Sequence, residues 1–149
     1  MKRVIITLVV LLVSVGAYFG YTTYRKHHYH KQDAINSCLT SIRNDISIEL
    51  KANDIGQQQI AVLTSSASFS DVDAHKTIVT EDGLGILQRE HKSNTDVLAA
   101  WEIHGTVALP GSLPQYGSLG STNEFGCSAI VFKDGSITTL SRSVQDANE

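Results

Sequence analysis

The sequence predicts an α+β protein: an N-terminal transmembrane helix, then an amphipathic helix packed on a small, mostly antiparallel β-sheet. Three observations lead there. Residues 4–21 are uncharged and largely apolar, residues 33–50 carry apolar side chains at spacings of three and four, and beyond Gly56 short β-rich runs end in a Lys133-Asp134-Gly135 turn.

The first element follows Met1-Lys2-Arg3, a short cytoplasmic N-terminus in this reading. The apolar run Val4 to Tyr21 rises about 27 Å as a helix, close to the ~30 Å hydrocarbon core of a bilayer. Tyr18, Phe19, Tyr21 and Tyr24 supply aromatic rings where a membrane interface favours them. Residues 4–21 are therefore expected to anchor the chain in lipid, with residues 22–32 as a basic juxtamembrane segment. A signal peptide ending at Val15-Gly16-Ala17, removing residues 1–17, is the alternative, and it also sends the remainder across the membrane. Arg25, Lys26 and Lys31 outnumber Lys2 and Arg3 across the run, so the inverted orientation stays open.

Charge separates the two parts of the chain. Residues 1–31 hold five basic residues and no acidic ones, whereas residues 32–149 hold seven basic against fifteen acidic, a formal −8. An acidic domain lacks the clustered Lys and Arg that displace counterions from phosphates, which speaks against nucleic acid as a partner.

The amphipathic helix begins at Asp33, read as its N-cap, and its stripe is Ala34, Ile35, Cys38, Leu39, Ile42, Ile46 and Leu50. Asn53-Asp54-Ile55-Gly56 ends it. Cys38 lies on the apolar side, facing the expected sheet. The only other cysteine is Cys127, and an even cysteine count in an exported domain makes a Cys38–Cys127 disulfide the expectation, with two buried thiols in a reducing compartment as the alternative.

Strands are expected at Ile60–Thr64, Lys76–Thr80 and within Val97–Leu109. In the last, Trp101, Ile103, Gly105 and Val107 point one way and Glu102, His104 and Thr106 the other. Ser128–Phe132 and Ser136–Leu140 flank Asp134-Gly135, a strong hairpin signal. The soluble domain is placed at residues 33–142, with 143–149 as a flexible polar tail.

Between Leu109 and Cys127 lie both prolines of the chain and four of its eleven glycines, and no regular element is expected there. Long loops in compact domains are more often functional than most segments, so Tyr116, Ser118, Asn123 and Phe125 are the candidate binding residues. A mobile connector is the competing reading.

No catalytic residue is assigned. Gly117-Ser118-Leu119-Gly120 is not a nucleophile elbow, and no phosphate loop, dinucleotide fingerprint or zinc-protease pattern is present. His27, His28 and His30 read as interfacial side chains, and His75, His91 and His104 are scattered, with Asp71, Asp73 and Glu102 as conceivable neighbours. No metal ligand set and no cofactor is assigned.

An apolar helix running into an amphipathic helix, followed by an antiparallel sheet with a disulfide toward the C-terminus, resembles the layout of type IV pilins and type II secretion pseudopilins. That layout implies polymerisation through N-terminal helices. The apolar segment has no preceding Gly-Phe processing site and no early glutamate, so no functional residue is carried over.

The expected function is that of a single-pass domain on the periplasmic side of the cell inner membrane. It would act on a protein partner at the envelope as a binding, accessory or assembly factor, an inhibitor or an immunity protein, and not as an enzyme. The alternative is a pilin-like or pseudopilin-like subunit of an envelope filament or secretion machine.

Overall fold

The computed structural model describes residues 30–110 and 118–147. The expected anchor at 4–21, most of the basic segment and Tyr116 lie outside them. The chain divides into residues 1–32 and a unit of Asp33–Glu149, and the architecture below is that of the second unit.

A helix described over residues 30–52 (α1) comes first. Asp33 sits inside it and is not its N-cap, because the helix is already formed at residue 30. Ala34, Cys38, Ile42, Ile46 and Leu50 recur every fourth position and are all completely buried, with Ile35 and Leu39 packed partly against them. The end of α1 closes as the sequence predicts. Asp54 adopts a left-handed conformation (φ 59°), and the Asp54 and Ile55 amides donate to the Lys51 and Leu50 carbonyls, each at 3.2 Å.

Residues 57–65 overturn an expectation. The apolar run Ile60–Thr64 is not a strand but part of helix α2 (Gln57–Ser65), entered through Gly56. Only Ile60 and Leu63 are buried within it. That spacing of three places both on one helical face, and three glutamines supply good helix-forming positions ahead of them.

The sheet has four strands in the order β1-β2-β3-β4, every neighbouring pair antiparallel: β1 (Ser68–Thr77), β2 (Val97–Ala108), β3 (Thr122–Phe132) and β4 (Ile137–Asp146). β1 starts well before Lys76, and Ile78–Thr80 lie beyond it. β4 runs through Asp146, so residues 143–146 of the expected tail pair with β3 instead of fraying. The Asp134-Gly135 hairpin is present, with Gly135 at φ 87°, a value that suits glycine.

One face of the sheet packs into the same apolar cluster as α1. Ile103, Val107, Cys127, Ala129 and Val131 point into it, and Trp101 and Phe125 are nearly as enclosed. Gly105 belongs to this inner row, opposite Phe125. A Cβ on Gly105 would lie 2.8 Å from the Phe125 ring and 3.2 Å from the Ser70 carbonyl oxygen, so the ring occupies the space a side chain would take. Beside it β1 carries a bulge between Ser70 and Asp73, with Asp71 at φ 53°.

The other face is covered in part. Helix α3 (Glu81–Arg89), which sequence reasoning did not foresee, brings Ile86 and Leu87 against Ile130 and Phe132, with Val79, Val97 and Leu140 around them. Two glycines in nine residues hide this helix, each weakening it by about 1 kcal/mol relative to alanine. Packing on the sheet overrides that penalty, and a Schellman closure ends the helix. His91 takes the left-handed position (φ 52°), its amide donates to Gln88, and the Lys92 amide donates to Leu87 at 2.8 Å.

Candidate functional site

The loop residues selected from the sequence separate once the strand boundaries are known. β3 begins at Thr122, so the alternation along it places Asn123, Phe125 and Cys127 on the inner face. Asn123 is completely buried. Its Oδ1 accepts from the Gly120 amide at 2.8 Å and its Nδ2 donates to the Gly120 carbonyl at 2.9 Å, closing the end of the loop on itself. Phe125 packs edge-on to Phe69, with centroids 5.6 Å apart at 85°, and the Arg43 guanidinium lies 4.7 Å from the Phe69 centroid. Neither residue is available as a recognition surface: both belong to the core. The glycine- and serine-rich composition concealed the strand that buries them.

Ser118 is exposed. Its amide and hydroxyl both stand 3.5 Å from Glu49 Oε1 on α1, and its carbonyl accepts from the Asp146 amide at 3.1 Å. It joins the loop end to the helix and to the last strand.

The two cysteines, 89 positions apart, meet in the core. Cys38 comes from the buried stripe of α1 and Cys127 from the inner face of β3, and both thiols are free and buried. A hydrogen bond between their side chains, followed by burial, pushes the Cys38 thiol far above its ordinary value. The Cys127 sulfur also faces the Ser128 carbonyl at 3.8 Å.

Two of the scattered histidines come together on the uncovered half of the outer face. The β1–β2 register sets Asp73 opposite His104 and His75 opposite Glu102, forming a square in which each imidazole has a carboxylate along its own strand and another across the pair. His75 Nε2 is 2.9 Å from Asp73 Oδ2, and His104 Nε2 is 3.5 Å from Glu102 Oε1. His75 and Asp73 are well exposed, so water screens their contact. The signal for this square was in the sequence, since Asp-x-His and Glu-x-His put like positions on one strand face, but which strands would be neighbours was not. His91 stands apart at the end of α3. Among the described residues, no group of three His, Cys, Asp or Glu is placed to hold a metal ion.

A third polar cluster fastens α3 to the hairpin. Lys92 Nζ donates to Asp134 Oδ2 and Ser136 Oγ, both at 2.7 Å, and lies 3.9 Å from the Phe132 ring centroid. Lys92, then Ser136, hold the Asp134 carboxyl well below the usual carboxylate range. Asp96 is also lowered, by hydrogen bonds from the Ser93 amide and hydroxyl that cap the short 3-10 turn Asn94–Asp96. Together with Lys133, these side chains edge an open depression of about 330 Å³. Lys92, Asp96, Phe132 and Asp134 there already have structural roles.

No described helix is long and apolar enough to cross a membrane. Searches against protein-family models, curated proteins and solved structures return no match to this chain.

Proposed function

We propose that the chain is a single-pass envelope protein whose domain lies on the outer side of the cytoplasmic membrane and binds a protein partner as an accessory or assembly factor. The observation that carries this reading is the uncharged run at residues 4–21, followed by a short basic segment and then an acidic α+β unit. The only two cysteines of the chain meet in the core as free thiols, a placement that lets an oxidising compartment join them.

With Asn123 and Phe125 buried, the contact surface moves to the β1 edge and the open half of the outer sheet face. There Asp71, Asp73 and His75 are exposed beside Glu102 and His104. A strand edge offers unpaired backbone groups, and the acidic character of the unit favours a basic partner whose capture weakens as salt rises.

A second reading, the pilin-like subunit, is favoured by one observation: a long helix laid on a four-stranded antiparallel meander, downstream of an apolar run. It shares the export step and differs in the interface.

One experiment tests the export step. A Gln59→Cys reporter on the exposed side of α2 should react with a membrane-impermeant maleimide in intact cells whose outer barrier has been opened. Labelling only after lysis of the inner membrane sinks both readings. Replacing residues 1–31 with an unrelated anchor then separates them: a binding domain keeps its partner, and a helix-packed subunit loses assembly.

A further inference from the structure

We propose that Cys38 and Cys127 are joined by a disulfide while the domain folds, and that docking of α1 on the sheet then seals this bond from solvent, making it a fixed structural weld and not a redox switch. Its formation in the cell rests on the exported reading above; its chemistry does not.

Placement carries the first part. Cys38 is one of five completely buried residues that α1 lays along the sheet, and Cys127 is on β3, which has strands on both sides. Both thiols are free and lie in the one apolar cluster between α1 and the inner sheet face, where the two side chains meet. A bond here fastens the helix that follows the apolar run to an interior strand, and encloses residues 39–126, which include β1, β2, the start of β3 and both shorter helices.

Burial carries the second part. Cys38 is 0% and Cys127 1% exposed, so neither a protein oxidant nor a small thiol reaches them without α1 lifting away. Disulfide exchange needs a thiolate in line with the attacked sulfur, and both requirements fail inside the docked core. The bond must be made earlier. One cysteine thiolate attacks the disulfide of an oxidised carrier, either a disulfide oxidoreductase or oxidised glutathione, and forms a mixed disulfide. The second thiolate displaces the carrier. Two protons and two electrons leave the chain, one sulfur–sulfur bond forms within it, and the carrier departs as a dithiol, or as two thiols for glutathione.

The test uses the full chain. Protein reduced and unfolded in urea is refolded either in a glutathione redox buffer or in dithiothreitol, then alkylated in denaturant and weighed. The expected oxidised product is monomeric, two hydrogens lighter and without alkylatable thiols. Under native conditions dithiothreitol should open it at least an order of magnitude more slowly than in urea. Cys38→Ser and Cys127→Ser chains refolded in the same buffer should each carry one glutathione on the remaining cysteine, showing that each position is reachable before folding, and a thiol left unmodified in both overturns oxidation during folding. Two free thiols in the oxidatively refolded wild type overturn the weld. Reduction as fast in buffer as in urea overturns the sealing. A bond formed on refolding, together with free thiols in chains alkylated inside cells, upholds the chemistry and instead overturns the exported reading.

Discussion

The two faces of the sheet are made by the same four strands and stabilised differently. The inner face meets α1 along its whole stripe, from Ala34 to Leu50, in one continuous apolar cluster. The outer face is shared between a small cluster under α3, built on Ile86, Leu87, Ile130 and Phe132, and an open polar half where Asp73, His75, Glu102 and His104 stand. Stability therefore concentrates on one side, and the other is free to vary in chemistry. A face already sealed by a long helix has no room for function, whereas a face half covered by a two-turn helix keeps charged side chains in water and still protects the hairpin end of the sheet.

That contrast can be broken by substitution. The largest effect should come from the inner face: Ile46→Ala leaves a void beneath a helix held along its length and should lower the unfolding free energy by about 4 kcal/mol, read from urea midpoints. On the outer face Ile86→Ala should cost about 2.5 kcal/mol, because a nine-residue helix backed by water can settle into the gap. Hydrogen exchange sharpens the comparison, with α3 amides in the Ile86→Ala protein exchanging faster than those of α1. Equal costs, with α1 and α3 opening together, would mean that the two clusters are one cooperative core.

Smaller effects probe the boundaries between these regions. Gly105→Ala drives a methyl group toward the Phe125 ring and should cost about 1.5 kcal/mol, with the Phe69–Phe125 contact disturbed in aromatic ring-current shifts. Asp134→Asn tests the Lys92 fastening through pH. The wild-type carboxyl is held below its usual value of 3.8, first by Lys92. Its contribution is whole above that value and fades as the pH falls beneath it. The Asn variant should therefore lose less Tm between pH 5 and pH 3 than the wild type does. The least effect belongs to the open half: His75→Ala with His104→Ala should change stability by no more than about 0.5 kcal/mol. A larger loss would show that the square of side chains holds β1 to β2, and would remove it from the surface proposed for a partner.

Much of the inner face was legible because it is periodic. Spacings of three and four marked Cys38, Ile42, Ile46 and Leu50, and alternation marked Trp101, Ile103 and Val107. Both patterns report burial directly, and all seven residues are buried. The hairpin was legible because Asp134-Gly135 carries its own turn chemistry. The outer face was obscure for the opposite reason. α3 contains Gly83 and Gly85, and its existence depends on Ile130 and Phe132 lying beneath it. Ile60–Thr64 is too short for periodicity to separate helix from strand, and its neighbours decided. Asn123 and Phe125 read as loop residues in the sequence and lie buried in the structure, because strand β3 starts earlier than its composition suggests.

By itself the sequence determined the apolar run, the opposite charges of the two parts, the amphipathic helix and the α+β class, since each is a local property of composition or spacing. Tertiary structure alone decided which distant residues meet: Cys38 with Cys127, Asp73 and His75 with Glu102 and His104, Lys92 with Asp134 and Ser136. Such meetings depend on strand order and register, which arise from burying the whole chain at once. No single segment encodes them.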